Sequence, residues 1–143
     1  MMTNTAIATR RIPITDGGLA KLKERVKYLE AEIERITMLT ERRKKVLGAL
    51  RSAMASYGYD LDAVMADRCR ERTLVDLRSI AWSIYKNETD YSCQQVAEDF
   101  GWNRATVFCA IRRADDLRGV DRNFADMYDS LHKAFTNAIS NTN

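Results

Sequence analysis

From Leu19 onward the apolar residues fall as Leu19, Leu22, Val26, Leu29, Ile33 and Ile36, in alternating steps of three and four. Only an α-helix brings such positions onto one face, and that face is the narrow seam of a coiled coil. The intervening residues, among them Lys21, Lys23, Lys27 and Arg35 with Glu24, Glu30 and Glu34, suit a water-facing surface. Thr15 or Asp16 can cap the start of the helix. Because the pattern lapses at Thr40 and Arg43, about two and a half heptads are continuous. The expectation is a short coiled coil or packed helical hairpin, not a long rod. A seam of this kind has to be covered, by a second copy of the chain, by a partner protein, or by later helices of the same chain.

Helical spacing persists through the rest of the sequence. The segment TERRKKVLGALRSAMASYG puts Val46, Leu47, Leu50 and Met54 on one face and stops at Tyr57-Gly58, where Gly58 can adopt the left-handed cap. Asp60 can cap a short helix through Val64 and Met65. After an arginine-rich connection, Leu74, Leu77, Ile80, Ala81 and Ile84 predict a helix over 74–85, with Trp82 and Tyr85 widening its buried face and Thr89-Asp90 ending it. Phe124, Met127, Tyr128, Leu131 and Phe135 mark a last helix. No strand pattern appears, so the expected fold is all-α: a coiled-coil-like helical region over 16–50, then a helical bundle over 51–136 that contains a helix-turn-helix. Residues 1–15 read as a flexible arm and 137–143 as a flexible tail.

Composition narrows the function. With 143 residues, 45% hydrophobic and 30% charged, the chain suits one modest soluble domain with an extension. No apolar run reaches the length of a membrane span, and the N-terminus lacks the apolar core of a secretory signal. Three widely spaced cysteines, Cys69, Cys93 and Cys109, with no CxxC pair and one histidine, His132, argue against a disulfide framework, a metal centre or a cofactor. The expectations are a non-enzyme in a reducing cytoplasm. The net charge of +3 is small, but its cations are grouped: Arg68, Arg70, Arg72 and Arg78, then Arg104, Arg112, Arg113 and Arg118.

The stretch QQVAEDFGWNRATVFCAIRR meets the positional demands of a helix-turn-helix. Val96 and Phe100 are apolar on the first helix, Ala97 is small where the helices cross, Gly101 sits at the reversal, and Trp102, Val107 and Ala110 complete the inward face. Ser92 and Asn103 can cap the two helices. Arg104, Ala105, Thr106 and Arg112 then lie on the outer surface or its margins. Arg104 has the chemistry for a bidentate contact with guanine, and Asn103 and Thr106 can reach a phosphate or a base.

From about Ser52 to Thr136 the chain resembles the C-terminal DNA-binding domain (domain IV) of the bacterial replication initiator DnaA. The residues that carry the likeness are YGYDLDAV, DRCRERTLVDLRS, IAWSIYKNET, SCQQVAEDFG, ATVFCAIRRADDL and FADMYDSLHKAF, in that order. The resemblance implies that Arg70 enters a minor groove, that Arg78 and Lys86 hold the DNA and that Thr89 contacts its backbone; Arg68 and Arg72 of the same basic group are further candidates for contact with DNA. At the recognition helix the family's Arg-Asp-His-Thr-Thr-Val run is replaced by Trp102, Asn103, Arg104, Ala105, Thr106 and Val107. The scaffold implies double-stranded DNA as partner, and the replaced residues imply a different target site or a weaker sequence preference. No GxxxxGK[ST] loop is present, so the family's ATPase module has no counterpart. Ile12 to Glu30 also looks like the coiled-coil start of the Gre transcript-cleavage factors, without an acidic tip after Ile36. The combined expectation is a non-ATPase replication accessory protein or transcription regulator. The alternative is a helical adaptor that does not read DNA.

Overall fold

The computed structural model describes residues 16–141, so the expected flexible arm at 1–15 lies outside the described residues. Within that range there are six α-helices and no strand: α1 (Asp16–Ser56), α2 (Leu61–Ala66), α3 (Arg72–Thr89), α4 (Cys93–Phe100), α5 (Arg104–Val120) and α6 (Arg122–Ser140). The all-α expectation holds. No helix among the described residues is long and apolar enough to cross a membrane.

The chain divides into two compact units, residues 1–39 and 40–143. All described residues of the first belong to α1. Its seam residues Leu19, Leu22, Val26, Leu29, Ile33 and Ile36 are exposed. Of the two expected forms, a short coiled coil or a packed hairpin, the hairpin is corrected here: α1 is one helix of 41 residues with no break at Thr40 or Arg43. A lapse in apolar spacing changes which face is buried, but only a proline, a cap or a left-handed residue ends a helix.

The second unit is built around α3, which packs against α2, α4, α5 and α6. Leu77, Ile80, Ala81, Trp82, Ile84 and Tyr85 of α3 are buried at its centre. They meet Val46, Leu50 and Met54 of α1, Leu61 and Val64 of α2, Val96 of α4, Val107 and Ala114 of α5, and Phe124, Tyr128, Leu131 and Phe135 of α6. Burying side chains of this size contributes roughly 1.5–3 kcal/mol each.

Local signals set the boundaries. Gly58 has φ of 94° after α1. The Asp60 carboxylate accepts from the Ala63 N–H at the start of α2, Ser92 Oγ from Gln95 N–H at α4, and Asp121 from Phe124 N–H at α6. The third helix ends at Thr89, as expected, and closes on Asp90, whose φ of 58° is left-handed. The last helix continues to Ser140, where a flexible tail from 137 was expected; half-buried Ala138 and Ile139 lie against the core and carry it on.

Candidate nucleic-acid interface

Two short connections define the site, the Asp67–Glu71 loop between α2 and α3 and the turn Gly101–Asn103 between α4 and α5. The turn is locally determined. Gly101 takes φ 70°, ψ 33° as the cap of α4, Trp102 N–H donates to Ala97 O at 2.9 Å, and Asn103 Oδ1 accepts from Ala105 N–H at 2.7 Å to open α5. Reversal in three residues needs a left-handed position, which glycine occupies without a Cβ penalty.

The loop is held from below by Arg78 of α3. Its guanidinium donates to Asp67 O at 2.7 Å and Cys69 O at 2.8 Å, with a longer contact to Val64 O at 3.4 Å. Arg78 is only 5% exposed, and burial lowers its pKa while Asp67 pulls the other way. In the protein alone, therefore, the Arg78 guanidinium serves carbonyls of the loop and of Val64 in α2. Asp67 adds a local bond, accepting from Cys69 N–H at 2.8 Å.

Arg68 and Trp102 stitch the loop to the turn. Arg68 donates to Gly101 O at 2.9 Å, and its guanidinium carbon lies 3.9 Å from the centre of the Trp102 ring. Trp102 Nε1 donates to Met65 O at 2.8 Å, and its ring meets Trp82 edge-on at 5.3 Å. Stacking of this kind contributes about 0.5–1 kcal/mol at an exposed site. The result is a cleft of about 380 Å³ lined by Arg68 and Arg70 of the loop, Arg78 of α3, Trp102 of the turn, and Thr106 and Ala110 of α5, among others.

The expected site residues thus separate into groups. Arg70 is exposed in the cleft, and Arg104 is exposed on the first turn of α5 next to exposed Ala105 and Thr106; neither has a hydrogen bond or ion pair among the described residues. Lys86 and Arg112 line a different hollow of about 220 Å³, with Cys93, Phe108, Ile111 and Asp115. Arg72 is engaged elsewhere, 3.0 Å from Asp121 and 3.6 Å from Asp76. The Thr89 hydroxyl donates to Tyr85 O at 2.6 Å and so belongs to the end of α3.

The chain matches no protein-family model, no curated protein and no solved structure. Its site is accordingly read from its own chemistry. Among the described residues no group of three or more His, Cys, Asp or Glu is arranged to hold a metal ion.

Sequence reasoning overlooked two polar clusters. Buried Asp76 joins Arg72 to Arg113, whose Nη2 donates to it at 2.8 Å. Tyr85 donates to Asp99 at 2.6 Å, and Arg43 lies 3.7 Å from the same carboxylate. An acid within the apolar run of α3 was the available signal for the first. The second joins residues far apart in the chain and has no local signature.

Proposed function

We propose that this chain is a double-stranded DNA-binding protein in which α4 and α5 act as a helix-turn-helix, with α5 in the major groove and the Asp67–Glu71 loop in the adjacent minor groove. The observation that carries the reading is the shared cleft, which Arg68 and Arg70 of the basic loop line together with Thr106 of α5, far from them in sequence. A narrow minor groove concentrates negative potential, which an arginine free of internal partners such as Arg70 can enter. Arg104 can read guanine through its two acceptors, the Ala105 methyl can meet a thymine methyl, and Thr106 and the Asn103 amide can reach a base or phosphate. Lys86 and Arg112 supply cations beside this surface, with Thr89 at its margin. Arg68, Arg72 and Arg78 act mainly as positioning residues, through their contacts with Gly101, Asp121 and the loop carbonyls.

In this reading the chain is a regulator or replication accessory protein without ATPase or other enzymatic activity, working in the cytoplasm, and residues 19–50 serve self-association or a partner protein. Selection of bound duplexes from a random pool, followed by titration at several salt concentrations, tests it. The logarithm of affinity should fall linearly with the logarithm of salt, at about 0.9 per phosphate neutralised. Arg70→Ala and Arg104→Ala should each weaken binding by about tenfold or more with helix content unchanged. Absent or salt-insensitive binding by the intact chain would return the reading to a helical adaptor.

A further inference from the structure

The first unit has an uneven charge pattern, of which the helix itself pairs only Glu32, with Arg35 at 2.6 Å, among the ion pairs found there. From residue 21 to 27 there are four cations, Lys21, Lys23, Arg25 and Lys27, against one carboxylate, Glu24; from 28 to 34 there are three carboxylates, Glu30, Glu32 and Glu34, and no cation. Lys21 with Arg25, Lys23 with Lys27, and Glu30 with Glu34 are like-charge neighbours one turn apart, which destabilise a lone helix. Residues 19–31 are all exposed, and the apolar seam between these charges is open to solvent, with Leu19, Leu22, Val26, Leu29 and Ile33 each between 45% and 64% exposed.

We propose that the occupant of this face is a second copy of the chain, running antiparallel. The proposal rests on reading residues 19–50 as an association surface and is independent of DNA binding. In the antiparallel register that sets Val26 opposite Leu29 of the second copy and Leu22 opposite its Ile33, each basic half meets an acidic half. Lys23 then flanks Glu30 and Arg25 flanks Glu32 across the seam, each pair occurring twice, with no like charges opposed. A parallel pair would set basic half against basic half and retain only Arg25 opposite Glu30. Complementarity of the face to its own reverse is what selects a second copy over an unrelated helix.

Sedimentation equilibrium of the full chain should give twice the chain mass at micromolar concentration; a monomer throughout would overturn the proposal. Lys23→Glu with Arg25→Glu, or Glu30→Lys with Glu32→Lys, should each raise the dissociation constant about tenfold or more, and an equimolar mixture of the two variants should recover a heterodimer. Circular dichroism of each variant separates loss of association from loss of helix. Orientation is read in a background carrying Cys69→Ser, Cys93→Ala and Cys109→Ser. There, Leu22→Cys mixed with Ile33→Cys should form a disulfide-linked heterodimer under mild oxidation, and Leu22→Cys alone should not cross-link. Ready cross-linking of Leu22→Cys to itself would refute the antiparallel arrangement. DNA binding is not measured in any arm, so failure here leaves the functional reading intact.

Discussion

Arg70 and Arg78 belong to one arginine-rich stretch yet have opposite surroundings, exposed in a cleft and buried beneath a loop. Removing Arg78 leaves the carbonyls of Asp67 and Cys69 without their charged donor, so Arg78→Ala should lower unfolding free energy by about 2–3 kcal/mol. Arg70→Ala should change it by no more than about 0.5 kcal/mol. Urea unfolding of the two variants checks the contrast, and equal midpoints would remove Arg78 from its loop-holding role. Tyr85 supplies a pH dependence. Burial, and then its bond to Asp99, raise the hydroxyl pKa above its ordinary 10.0. Because the folded value is the higher one, the stability tied to the protonated hydroxyl is complete below about pH 10 and declines as pH rises further. The stability advantage of the wild type over Tyr85→Phe should therefore be constant near neutrality and shrink in alkaline solution. A difference that grows with pH would contradict this.

Among the elements, the turn between α4 and α5 and the interior of α1 provide a matched test of glycine. Gly101 and Gly48 both have open space where a Cβ would go, but only Gly101 has positive φ. Gly101→Ala should cost about 1 kcal/mol through backbone strain alone, whereas Gly48→Ala should stabilise α1 by about 0.5–1 kcal/mol. Thermal melts of the two variants should shift in opposite directions. These termini were legible in the sequence because caps and left-handed glycines act within a few residues. The continuity of α1 was not. Where its seam lapses, Arg42 reaches Glu88 at 3.2 Å and Arg43 reaches Asp99, and the face carrying Val46, Leu50 and Met54 turns into the core. The interruption in the pattern marks a change of environment along one helix, and a periodicity scan cannot tell that from an end.

For the molecule as a whole, a net charge of +3 is too small to drive binding to a polyanion by itself, so under the proposed DNA-binding function the steepness of the salt dependence should come from the few cations near the cleft. Which arginines those are was only partly readable beforehand. The resemblance identified Arg70 and the helix-turn-helix spacing Arg104 as candidates, but the engagement of Arg72 by Asp121, of Arg68 by Trp102 and of Arg78 by the loop depends on tertiary neighbours. Trp102, expected as an inward-facing apolar residue, is also the post to which the basic loop is tied. It has an optical consequence. The chain contains two tryptophans, and both border this cleft, with Arg68 stacked on one of them. All of its indole fluorescence therefore originates at one location, and whatever displaces the loop changes the light the protein emits.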